Sequence, residues 1–127
     1  MLSDEDAERL RTVTVTALLA LRREYLRTAA CSRMKHWTQL RDRAVSAARR
    51  ATTVDEWATM VMRGLQVPTL GVAGCEALVA LRVAVRGVGS AEPWLTMITD
   101  EHGLLFALAR LAVEQDKMRA NTAETQP

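Results

Sequence analysis

The sequence predicts an all-α protein, a compact single-domain bundle of five or six helices. Three observations predict it. Aromatic residues make up only 4% of the chain while apolar residues make up 49%, so the core must be built from Ala, Leu, Val and Met. Ala and Leu are strong helix formers, whereas aromatics favour strands. Apolar residues recur at spacings of three and four, not in alternation. Helix start signals also stand at Ser3, Thr53 and Pro93, ahead of apolar runs.

The bundle is expected to form around one segment. Residues 71–87, GVAGCEALVALRVAVRG, are the most continuously apolar in the chain, and between Val72 and Val85 only Glu76 and Arg82 are charged. A helix over about 72–86 with apolar residues on nearly every side has no solvated face, and this places it at the centre. At 127 residues the chain has the size of one domain. Residues 1–119 are expected to form it. Residues 120–127, ANTAETQP, have nothing to bury and are expected to be a disordered tail.

The elements follow in order. Ser3 is a suitable N-cap, and Asp4, Glu5 and Asp6 complement the helix dipole in the first turn. The first helix is expected to run to about residue 30. Leu10, Val13, Ala17, Leu21 and Tyr25 form its core face. Val15, Leu19 and Leu26 form a second stripe, with Arg22 and Arg23 among them. Ser32 is a candidate cap for a second helix over about 33–50. This helix carries Met34, Trp37, Leu40, Ala44 and Ala48 inward and Lys35, His36, Gln39, Asp42, Arg43, Arg49 and Arg50 outward. Arg41 falls at the edge of its apolar side and must reach water along its stem or pair with an acid.

Thr53 followed three residues later by Glu56 is a capping box. The third helix is expected to end at about Arg63, with Gly64 at C′ and with Trp57, Met60 and Val61 inward. Residues 66–71 read as a loop because Pro68 interrupts any helix there. The central helix ends at the Gly87 and Gly89 punctuation. Glu92-Pro93 opens the next helix, read as a short one to about Thr99 with a break near Asp100; the other reading is one long helix from Pro93 to Arg119. A final helix is expected to pack Leu104, Leu108, Leu111 and Met118 on one face, with Phe106, Ala109 and Val113 on another.

The chain's formal net charge is +2, but residues 22–50 alone hold nine basic and two acidic side chains. Arg27, Lys35, Arg43, Arg49 and Arg50 are the expected basic surface. Such a surface suits phosphates or an acidic protein. The central segment is shorter than the ~20 residues a bilayer crossing needs, and the acidic start is not a signal peptide. A cytoplasmic protein with no membrane association is expected. Cys31 and Cys75 form no metal-ligand pattern, and no HExxH or P-loop is present, so no catalytic, cofactor or metal site is expected. Asp100, Glu101 and His102 are consecutive, so a helix would point them about 100° apart. They read as a cap and first turn. Glu76 is expected to pair with an arginine of another helix, Arg41 being one candidate.

The leading functional expectation is a non-enzymatic helical interaction module of the adaptor, complex-subunit or phage and mobile-element inhibitor kind. Its partner contacts would be Val15, Leu19, Arg22, Arg23, Leu26, Phe106 and Val113, and self-association as a dimer is expected. The alternative is a nucleic-acid-binding protein using residues 22–50. A third reading is a small enzyme whose site assembles across helices.

Overall fold

The structure is a computed structural model that describes residues 2–28 and 35–100, excepting the side chains at 28 and 35–38. It is all-α, as the sequence predicts. Among the described residues five helices pack together: α1 (Asp4–Thr28), α2 (Lys35–Arg50), α3 (Val54–Leu65), α4 (Val72–Gly87) and α5 (Glu92–Thr99). The expected final helix, the candidate cap Ser32 and the C-terminal tail lie outside the described residues.

The helix ends follow their local chemistry. Ser3 Oγ accepts the Asp6 backbone N–H at 3.1 Å at the start of α1. Thr53 Oγ1 accepts the Glu56 N–H at 3.1 Å. The Glu56 carboxylate turns back to accept both the Thr52 N–H and its hydroxyl, each at 3.1 Å. The reciprocal cap is thus present, with the N–H donated to Glu56 shifted by one residue, from Thr53 to Thr52.

The end of α3 differs from expectation. The helix continues through Gly64 to bury Leu65, and Gln66 takes the left-handed conformation at φ 57° and ψ 38°. The Gln66 N–H donates to Arg63 C=O at 3.1 Å and the Val67 N–H to Met62 C=O at 2.9 Å, a Schellman closure. Burial of Leu65 and Val67 on either side of the turn outweighs the cost of a non-glycine residue there. Gly64 has another use. A Cβ placed on it would lie 2.5 Å from Arg43 Cδ, so its absence lets the Arg43 stem cross α3.

The packing forms two helix pairs. α1 lies mainly along α4, and α2 along α3. Contacts between α3 and α4 and between α1 and α2 join the pairs, while α5 covers α2. Where these meet, Trp57 and Trp94 pack edge to face with centroids 5.2 Å apart and planes at 78°. Both are fully buried. The Trp57 indole N–H donates to Ala44 C=O at 3.0 Å, and that of Trp94 to Thr14 Oγ1 at 2.9 Å. Thr14 in turn donates its hydroxyl to Leu10 C=O. One aromatic pair therefore ties α1, α2, α3 and α5 together, with both of its indole donors satisfied.

The core face of α1 is Leu10, Thr14, Ala17, Leu18, Leu21 and Tyr25, all buried, while Val13 is only partly so. In α3, Trp57, Val61 and Leu65 point inward, but Met60 does not; it is 36% exposed. The helix expected to lack a solvated face has one. α4 buries Gly74, Ala77, Leu78, Leu81 and Val85 and leaves Val72, Cys75, Glu76, Val79, Val83 and Arg86 exposed. Its neighbours α1 and α3 lie on one side. Valine and alanine fill the other side without being buried there, so sequence hydropathy alone overstated its burial.

Candidate interaction surface

A helix of 3.6 residues per turn places Val72, Val79 and Val83 in one narrow sector. That sector lies opposite Gly74, Leu81 and Val85, which anchor α4 to the core. The three valines are 78%, 51% and 65% exposed. Glu76 borders the row on one flank and Arg86 on the other, both exposed. Glu76 has no ion pair among the described residues. The expected Glu76–Arg41 pairing is therefore corrected: an exposed carboxylate remains hydrated and needs no buried partner. Arg41 instead reaches Asp42 on its own helix at 3.5 Å. Arg82, beside the row, is held to Asp55 at the start of α3 at 2.7 Å.

The start of α4 has no side-chain cap and no acid in its first turn. A carboxylate from α1 lies close to that end. Glu24 Oε1 would lie 3.3 Å from a Cβ on Gly71, so its charge sits at the positive end of the α4 dipole. The glycine-rich start of α4 is thus already next to an anion, which disfavours phosphate there.

The contacts expected on α1 divide. Val15 and Leu19 are half-buried and pack against the core. Arg22 is only 9% exposed. Leu26, at 36% exposure, and Arg23 face outward. The outward stripe on α1 is therefore smaller than the sequence suggests, since α1 is covered by α4 along one side and by α2 and Trp94 along another. Phe106 and Val113 lie outside the described residues. The exposed valines of α4 were absent from the expected contacts. Their signal was present as an apolar period of seven and four within a helix read as core.

On the other side, Arg43, Arg49 and Arg50 are exposed on α2. Arg49 and Arg50 occupy its last turn, where free carbonyls favour cations. Arg27 is 70% exposed in its side chain and lies 3.4 Å from Glu24. Lys35 falls among the side chains outside the description. An open groove of about 490 Å³ runs between the end of α2 and α5, lined by Ala48, Arg49, Thr52, Glu92, Leu95 and Thr99 among others.

Among the described residues no group of three or more His, Cys, Asp or Glu side chains is placed to hold a metal ion. No described helix is long and apolar enough to cross a membrane. Asp100 closes α5 as its C-cap, its N–H donating to Thr96 C=O at 3.0 Å. Glu101 and His102 lie outside the described residues. Comparison of the chain with protein-family models, curated proteins and solved structures finds no match.

Proposed function

We propose that this protein is a non-enzymatic interaction module that binds another protein through a helical surface, with the outer face of α4 at its centre. The supporting observation is the row Val72, Val79 and Val83, held in water by a helix whose opposite side is fixed in the core. Exposed apolar side chains on one helix face, with charges beside them, are the composition of an interface centre and its rim. Leu26 of α1 adds a further exposed apolar side chain.

A second reading is nucleic-acid binding. It is favoured by Arg43, Arg49 and Arg50, which are exposed on α2, with Asp42 the sole acid on that helix. Arginines of this kind bind phosphate in a salt-dependent manner.

Affinity purification from the native host tests both, using the wild-type chain, Val79→Asp and the double variant Arg49→Glu/Arg50→Glu. The expected result is a co-purifying protein that is retained by the arginine variant and lost with Val79→Asp. Recovery of nucleic acid alone, released by salt and lost with the arginine variant, would replace the first reading by the second.

A further inference from the structure

We propose that the outer face of α4 is self-complementary, and that a second copy of this chain docks on it antiparallel about a two-fold axis. The proposal rests on the reading of this face as an interaction surface. Residues 72, 76, 79, 83 and 86 follow one another at spacings of four and three, the seam of a two-helix contact. The seam reads Val72, Glu76, Val79, Val83 and Arg86 and is exposed throughout.

Its charges select the orientation. Val79 and Val83 are centred on residue 81, and so are Glu76 and Arg86. An antiparallel copy whose axis passes at the level of residue 81 sets Val79 beside the partner's Val83, and Val83 beside the partner's Val79. The same register sets Glu76 beside the partner's Arg86, and Arg86 beside the partner's Glu76. Four valines then form the centre with an ion pair on either side, and Val72 lies outside the paired stretch, level with position 90 beyond the end of the partner's α4. A parallel copy in register would instead stack Glu76 on Glu76 and Arg86 on Arg86, placing like charges together.

Neither Glu76 nor Arg86 has an ion pair among the described residues, so both are available, whereas the neighbouring Arg82 is held by Asp55. Ala80 and Gly87, exposed at the edge of the seam, leave room for two backbones to approach. A two-fold contact of this kind closes on itself and yields a dimer, not a filament. One helix face is small for a specific interface, so the dissociation constant is expected at about 10–100 µM.

Sedimentation equilibrium of the full chain, from ~1 to ~500 µM, tests the proposal over that range. The expected result is a monomer–dimer equilibrium. Glu76→Arg or Arg86→Glu alone should weaken it tenfold or more, and Glu76→Arg/Arg86→Glu together should restore it. Both changed positions are exposed, and circular dichroism melting checks that each of the three variants folds. Should a charge reversal unfold the chain, Glu76→Gln and Arg86→Gln replace the reversals and should each weaken the dimer. A chain that stays monomeric, or a dimer indifferent to the single changes, overturns the proposal. A monomer that still captures a cellular protein through Val79 overturns self-association and leaves the proposed function standing.

Discussion

The Trp94 indole N–H and the Thr14 hydroxyl show how one polar contact decides a buried position. Thr14 lies among Leu10, Ala17 and Leu18 with no exposure, and its Oγ1 accepts the Trp94 donor while giving its own proton to the Leu10 carbonyl. Replacing it by valine keeps shape and volume but leaves the Trp94 N–H unsatisfied in the core. Thr14→Val is therefore expected to cost about 1–3 kcal/mol, read as a lowered urea midpoint with an unchanged slope. A Thr14→Ser variant keeps the acceptor and loses only a methyl group, so it should cost less than valine if the hydrogen bond is the main term. An equal or greater loss with serine would assign the position to packing.

Between α2 and α3 the decisive contact belongs to two elements at once. Glycine inside a helix costs about 1 kcal/mol relative to alanine, yet α3 carries Gly64 one residue before its last. The Arg43 stem of α2 occupies the space a methyl would take. Gly64→Ala alone should gain little, because the helix preference is offset by displacement of Arg43. In an Arg43→Ala background the same change should gain about 1 kcal/mol. Thermal or urea unfolding of the four proteins of this cycle gives the coupling. If Gly64→Ala gains equally in both backgrounds, the close approach has no energetic weight.

For the whole molecule the question is which helix the others surround. The Trp57–Trp94 pair joins four of the described helices, while α4 is anchored on one side through Leu81, which is fully buried, and is exposed on the other. Leu81→Ala is expected to cost about 2–5 kcal/mol. Val83→Ala should change stability by less than about 0.5 kcal/mol at concentrations where the chain is monomeric. Chemical denaturation of the two variants decides the matter. Similar large losses at both sites would restore α4 to the centre of the core.

The sequence by itself determined the helical class, the starts of α1, α3 and α5, and the inward positions Leu10, Leu21, Leu40, Ala44, Trp57 and Val61. These depend on local capping and on a period of 3.6, which a chain carries within a few turns. It also placed the exposed arginines of α2, since a charged side chain off the apolar stripe has no reason to be buried. Tertiary structure alone decided three things. It chose Gln66 over Gly64 to end α3, because Leu65 and Val67 had a core to enter. It buried Arg22 while leaving Met60 exposed, because burial depends on where neighbouring helices lie as well as on side-chain type. It also divided α4 into an anchored side and the exposed row of Val72, Val79 and Val83. Valine and alanine supply nearly the same apolar signal on both sides of that helix, and only the positions of α1 and α3 distinguish the side in the core from the side in water.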